Sequence, residues 1–279
     1  MGNLQRLSAG LVLAAATWPV LLSAEPVQVR YTEGALHGFV VLRTLDDKLL
    51  ADGDVTQKVE GDRVTTRLVF NFKDGSSHEE TTVYSQNQRF RLISDHVVQK
   101  GPAFPQPLEM TIDAMSGEVT VRYQDEKGQS QSATEKFEVP PDLANGIVPK
   151  LLMNAQPNAM PKSFSLIAAT PKPRMVSLAV TPGGRERFSV GGAGRLATHH
   201  VLKVDLGGVA SVVAPVIGAQ PPDSHVWISG GDVPVFLRAE QPLYAGGPVW
   251  RIELASPVWP KTQAAPTAKA DPGKKRPPA

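Results

Sequence analysis

Histidines and adjacent acidic residues are the side chains of this sequence whose types could do chemistry. His199 adjoins His200 in a segment expected to form a strand. Adjacent side chains of a strand point to opposite faces, so these two are not expected to chelate one metal ion. We interpret them as one surface and one core-edge histidine. The remaining histidines show no spacing typical of zinc sites. They are His37, His78, His96 and His225. The sequence predicts no metal site and no cofactor.

A hydrolase is the enzyme class that these residues leave open. Asp95-His96 and Asp205 could contribute to a serine triad, with His96, His199 or His225 as the base. The chain has no G-x-S-x-G nucleophile elbow. A triad is defined by geometry rather than by a motif, so the missing elbow does not exclude one. No catalytic residue is assigned.

Two acidic pairs are interpreted as solvated surface. Glu79 and Glu80 lie on an expected strand and face opposite ways, and Asp46-Asp47 lies in an expected turn. Neither supports the two-carboxylate arrangement of glycosidases. Gly191-Gly192-Ala193-Gly194-Arg195 lacks the G-K-[ST] ending of a phosphate loop. We interpret it as a hairpin turn.

The N-terminus is typical of a secretory signal. Arg6 precedes an apolar stretch over 7–22, and Ser23-Ala24 offers small residues before Glu25. We expect a signal peptide over 1–24 and an exported protein, in the periplasm or outside the cell. An uncleaved anchor is the alternative, although the apolar run is short for a span. No later segment predicts a transmembrane helix, and the 279 residues include no cysteine, which excludes disulfides and thiolate metal sites.

The charge balance gives no reason to expect a nucleic-acid partner. The chain has 29 basic and 27 acidic side chains, but several of the basic ones lie in the tail 257–279. The segment expected to fold, 25–256, is therefore slightly acidic. The tail consists mainly of proline, alanine and lysine and is expected to be disordered.

Alternating polar and apolar residues predict a chain made mainly of β-strands. An N-terminal meander is expected over 27–139 and a second strand set over 163–256, joined by a helix at about 142–153. The strands predicted from this pattern are 38–45, 54–60, 63–72, 81–84, 88–99, 107–113, 118–124, 131–139, 163–168, 174–181, 186–190, 197–205, 224–229, 234–240 and 248–255. A second apolar segment, 207–217, predicts either a buried helix or an irregular loop.

The order of elements resembles that of an exported bacterial protein family of unknown function with a LolA-like, lipoprotein-carrier-like half-barrel fold. The resemblance rests on two groups of residues, one after the predicted helix and one before it. They are Ser224-His225-Val226-Trp227-Ile228-Ser229, the Gly230-Gly231-Asp232 turn, the strand from Val233 to Glu240, Leu108 to Asp113, and Val119-Thr120-Val121. The resemblance implies a curved antiparallel sheet with one or two short helices over its concave face, and it implies no catalytic residue.

Three functions remain open at this point. The first is a binding or carrier module for a lipid or another apolar ligand in the cell envelope, since a curved sheet can enclose an apolar pocket. The second is a structural or protein-interaction module with a filled core, whose partner is an envelope protein, and the third is a hydrolase. For the first function, the candidate ligand-binding residues are Leu151, Val212, Val216 and Trp227.

Overall fold

The computed structural model describes residues 26–125, 127–190, 193–205 and 220–255. The predicted signal peptide 1–24, the apolar segment 207–217 and the tail 257–279 lie outside the described residues. Within the described part, the chain forms one antiparallel sheet of 14 strands and one short α-helix. The prediction of a mainly β protein built on a curved antiparallel sheet is confirmed.

The elements have the following bounds. The strands are β1 (Leu36–Arg43), β2 (Leu49–Glu60), β3 (Arg63–Phe72), β4 (Ser77–Ser85), β5 (Arg91–Lys100), β6 (Leu108–Asp113), β7 (Glu118–Gln124), β8 (Ser130–Lys136), β9 (Ser163–Ala168), β10 (Arg174–Val190), β11 (Ala193–Asp205), β12 (Ser224–Ser229), β13 (Val235–Gln241) and β14 (Trp250–Leu254). The helix α1 spans Val148–Asn154, and a 3₁₀ turn follows at Pro157–Ala159.

Two meanders lie side by side in the sheet. β1 to β8 are neighbours in sequence order, and so are β9 to β14. The two sets are joined where β1 pairs with β14, with Val40 opposite Leu254 and Arg43 opposite Arg251. The strand order therefore begins with β8 and ends with β9, at opposite edges of the sheet.

The sheet curves enough for strands near its two edges to share one hydrophobic core. Val121 of β7, Phe164 of β9 and Trp250 of β14 belong to the same buried cluster. Strand alternation supplies the inner face, as in β3, where Val64 and Phe70 are fully buried and the residues between them are more exposed. The concave face of the curved sheet is thus the main core of the protein.

The segment between the two meanders packs into the concave face. The sequence predicted a helix over 142–153, but α1 begins only at Val148. Gly146 stands before it with a φ of 69°, a left-handed conformation that α-helices do not contain. Pro149 is tolerated because it lies in the first turn. The segment's buried core residues include Leu143, Ile147, Leu151 and Leu152. The apolar spacing was therefore predicted correctly, and only the start of the helix was wrong.

The same segment covers the edge of β9. The Ala144 N–H donates to the Ser165 carbonyl at 2.9 Å. The Asn145 side chain donates to the Ile167 carbonyl and accepts from the Ile167 N–H, both at 2.9 Å. These bonds satisfy backbone groups that an edge strand leaves unpaired. Among the described residues, β8 is the edge strand without a partner on its far side.

One long hairpin replaces several predicted pieces. The strands predicted at 174–181 and 186–190 form the single strand β10, because Gly183-Gly184 makes a bulge instead of a turn. Gly184 has a φ of 102°, which favours glycine at this point. β10 and β11 pair along their lengths as a hairpin. Of the turn predicted at 191–195, residues 193–195 belong to β11 instead, and residues 191–192 lie outside the described part.

The first described residues attach α1 to the sheet. The N–H groups of Arg30 and Tyr31 both donate to Oδ1 of Asn154, at 2.9 and 2.8 Å. Nζ of Lys150 lies 2.6 Å from Oε2 of Glu33, and both side chains are largely buried. Two polar residues of α1 therefore fix the N-terminal segment against the end of the curved sheet.

Candidate functional site

A cavity of about 210 Å³ remains inside the curved sheet. On one side it is bounded by β3 to β6, and on the other by Asn145, the end of β9 and strands β13 and β14. Its polar lining includes His78, Glu80, Asp95 and Gln99. Its apolar lining includes Leu68, Val97, Met110, Ile167 and Ile252. Apolar walls with a few convergent polar groups are typical of small-ligand sites.

Strand register places the acidic groups at this cavity. In β4, His78, Glu80 and Thr82 alternate onto the inner face, and Thr82 lies opposite Asp95 of β5. Glu80 lies opposite Val97, so the two acids are diagonal neighbours on one face of the sheet.

Asp95 is a buried carboxylate with half of its hydrogen-bonding capacity unused. Asp95 is 1% exposed, and its Oδ1 accepts a hydrogen bond from the Thr82 hydroxyl at 2.8 Å. Its Oδ2 is buried and has no hydrogen-bond partner in the described structure. A buried polar atom without a partner destabilises the folded protein by about 1–3 kcal/mol. A group that supplied a donor to this oxygen would remove that penalty.

Burial shifts the protonation of both acids in the same direction. It raises the pKa of Glu80 to about 8, and the negative charge of Asp95 adds to the effect. Burial raises the pKa of Asp95 to about 6, while the hydrogen bond from Thr82 opposes the rise. As pH rises, Asp95 ionises first, and near neutral pH Glu80 keeps its proton. The cavity wall then presents one carboxylate and one carboxylic acid.

His78 adds no positive charge to this site. Its side chain is buried, and burial lowers the pKa of His78 to about 4. Its Nδ1 lies 3.2 Å from Nε2 of Gln99. An amide nitrogen can only donate, so Nδ1 of the neutral ring accepts this bond. Gln99 also donates to the Leu243 carbonyl at 2.6 Å, which connects β5 to the loop after β13.

Glu80 is the residue that sequence analysis placed wrongly. Glu79 and Glu80 were both expected on the surface. Glu79 does face outwards, with its Oε1 2.7 Å from Nε of Arg67. Glu80 instead lines the cavity. Alternation along β4 was the available signal, because Glu80 shares its face with Thr82 and Tyr84, and Tyr84 is almost fully buried.

The opposite-face prediction for His199 and His200 is confirmed. His200 is buried on the inner side, where burial and the neighbouring His199 lower its pKa. His199 lies on the outer face, although its side chain is only 13% exposed. It stacks on the Trp227 ring at 4.4 Å, with 5° between the ring planes. Trp227 belongs to a small outer cluster with Ala197 and Leu237.

The fold brings His199 and His225 together, which their spacing in the sequence did not indicate. Nε2 of His199 and Nδ1 of His225 are 2.9 Å apart, and Oε1 of Glu186 lies 3.4 Å from Nδ1 of His199. His96, the third candidate base, pairs with Glu109 at 3.1 Å. Among the described residues, no group of three or more His, Asp and Glu is arranged to hold a metal ion.

Two of the four ligand-binding candidates named from the sequence, Leu151 and Trp227, can be placed in the structure. Leu151 is buried in the main core, and Trp227 is buried in the outer cluster. Neither lines the cavity. Val212 and Val216 lie outside the described residues. The residues that do line it were missed because they come from strands far apart in the sequence. Within the described part, no helix has the length and apolar character needed to cross a membrane.

Comparisons with known proteins give a distant structural likeness. No protein-family model and no curated protein matches the chain. A similar solved structure is a β-barrel-like protein of domain of unknown function DUF1849 from Brucella abortus. It is 11% identical over 84% of this chain and 98% of that chain, with a TM-score of 0.41. A likeness at this level carries no information about function.

Proposed function

We propose that this chain is an exported binding protein that holds one small amphiphilic ligand in the cavity of its curved sheet, without catalysing a reaction. The observation that carries the proposal is the cavity itself. Glu80 and Asp95 line it on one side, and apolar side chains such as Met110 and Ile252 line the rest. Strongly shifted pKa values in a concave site favour a functional role over a structural one.

The size of the cavity limits the ligand. At about 210 Å³, it is smaller than the roughly 300–1,000 Å³ of typical small-molecule sites. The segment 142–154 packs against the concave face, with Leu143, Ile147 and Leu151 in the main core, so this part of the face is not free for a long acyl chain. We therefore propose a small ligand with a polar head in place of the lipid that the sequence favoured. The signal-like N-terminus supports a role in the periplasm or outside the cell.

A cavity-filling variant tests the proposal. Ala169 lines the cavity, and an Ala169→Leu substitution adds methyl groups to it. Ligand-observed NMR with a set of small amphiphilic compounds is expected to show binding to the wild-type chain and loss of binding to the variant. Ala133→Leu on β8, which is two strands from Met110 and does not line the cavity, is the matched control and should bind like the wild type. Compounds that bind all three chains equally, or none of them, contradict the proposal.

A protein-interaction module is the second candidate, and the edge of β8, which pairs with no other described strand on its far side, favours it. β8 ends the strand order, and its residues are exposed except for the half-buried Ala133. Such an edge can pair with a strand from another protein. A photo-crosslinker placed at Gln131 should trap one defined partner in cells if this surface binds protein. A chain that forms no crosslinked product contradicts this candidate.

A further inference from the structure

We propose that Asp95 is the anionic anchor of the cavity and that the ligand it binds carries a small ammonium group. This inference rests on the proposed function and names the chemical class of the ligand. It begins from Oδ2 of Asp95, a buried oxygen that has no hydrogen-bond partner among the described residues although Oδ1 has one. A carboxylate oxygen only accepts hydrogen bonds, so the missing partner is a donor.

The cavity supplies no positive charge of its own. None of the described residues that line it is a lysine or an arginine. His78 is held neutral by its burial. The neighbouring His96 points to the other face of β5, where its ring lies 3.1 Å from Oε1 of Glu109. A buried carboxylate is normally paired or hydrogen-bonded, and here a ligand cation would complete the pair.

The other walls fit the remainder of such a ligand. Val97, Met110 and Ile252 present hydrocarbon to the cavity, which suits a short alkyl chain attached to the ammonium group. Glu80 stands beside Asp95 with its proton retained at neutral pH, so it adds little negative charge. The site thus matches a monocation better than a divalent ion, and the described residues include no cluster suited to a metal.

Butylammonium is a suitable probe, and butan-1-ol is its neutral counterpart of similar size. In isothermal titration calorimetry near neutral pH, butylammonium is expected to bind the full chain saturably and more tightly than butan-1-ol. Asp95→Asn should weaken butylammonium binding by about ten- to a hundredfold, because a hydrogen bond to a charged group is lost. Asp54→Asn is the control, since Asp54 lies on the outer face and pairs with His37 at 2.7 Å.

A second measurement uses only the wild-type chain, in case Asp95→Asn does not fold. The side-chain carboxyl ¹³C resonance of Asp95 should shift on addition of butylammonium and stay in place with butan-1-ol. If butan-1-ol binds in the cavity as tightly as butylammonium, the ammonium assignment is overturned while the proposed small-ligand function stands. If the Asp95 resonance does not respond and calorimetry shows no saturable binding of butylammonium, the ammonium assignment is also overturned. The Ala169→Leu comparison then decides the proposed function separately.

Discussion

Replacing Glu80 by glutamine should remove a large part of the pH dependence of stability. Glutamine has the shape of the protonated glutamic acid and stays neutral at every pH. In the wild type, burial raises the pKa of Glu80 from 4.5 to about 8. Between these values the folded chain keeps a proton that the unfolded chain has released. Stability therefore falls as pH rises through this window.

The magnitude follows from the pKa of Glu80 in the two states. Each tenfold change in proton affinity is worth about 1.4 kcal/mol, so the rise to about 8 sets a ceiling of roughly 5 kcal/mol. Glu80 is only partly buried, and its ionisation is coupled to that of Asp95. We therefore expect about half of this maximum free-energy difference. Glu80→Gln should match the wild type near about pH 5 and exceed its stability by roughly 2–3 kcal/mol near about pH 9.

Urea denaturation followed by tryptophan fluorescence measures this difference. The lowered pKa of His78 also makes stability depend on pH below neutrality, but it does so in both chains. Taking the difference between variant and wild type at each pH removes this contribution. Glu79→Gln is the matched control, since the hydrogen bond from Arg67 lowers the pKa of the outward-facing Glu79. The Glu79→Gln substitution should lower the free energy of unfolding by less than about 1 kcal/mol and leave its dependence on pH as in the wild type. A Glu80→Gln chain with the pH profile of the wild type would refute the placement of Glu80.

Three further substitutions test the packing around the site. Asn154→Ala removes the acceptor of the Arg30 and Tyr31 N–H groups and should lower the free energy of unfolding by about 1–3 kcal/mol; an unchanged urea midpoint contradicts this. Gly53→Ala places a Cβ 2.5 Å from Cγ2 of Val40 and 2.6 Å from Cε1 of Phe70 and should cost about 1–3 kcal/mol. Gly38→Ala, whose Cβ meets nothing within 4 Å, should lower the free energy of unfolding much less. Equal losses in the two variants would contradict the close contact at Gly53. Gly146→Ala forces a Cβ onto Thr82 at a positive φ and should raise the pKa of Asp95 by disturbing its hydrogen bond; an unshifted NMR titration of Asp95 counts against that contact.

Local patterns were enough to predict most strands but not how they combine. Alternation in 63–72 gave the bounds of β3, and the turn glycines marked most of the hairpins. Gly183-Gly184 was misread because a bulge and a turn use the same residues. The start of α1 was misplaced because Gly146 adopts a positive φ that the apolar spacing does not reveal.

The candidate site depended on information that spacing alone does not contain. Glu80 and Asp95 meet because β4 and β5 pair in one register, and a slip of β4 by one residue would turn Glu80 to the outer face, away from Asp95. The cavity also needs Asn145 and Ile252, which reach it only after the sheet has curved and β1 has paired with β14. Long-range strand order was therefore the missing information, not residue type.

The ionisation of Glu80 tests the central claim most directly, that the inner face of the curved sheet holds a largely desolvated acid pair. Selective ¹³C labelling of glutamate side chains, with Glu80→Gln to assign the resonance, gives its titration midpoint in the full chain. A midpoint near the value of about 8 is predicted, with the Asp95 midpoint below it. A Glu80 carboxyl that titrates near its ordinary pKa of 4.5 would place it in solvent and contradict the desolvated site.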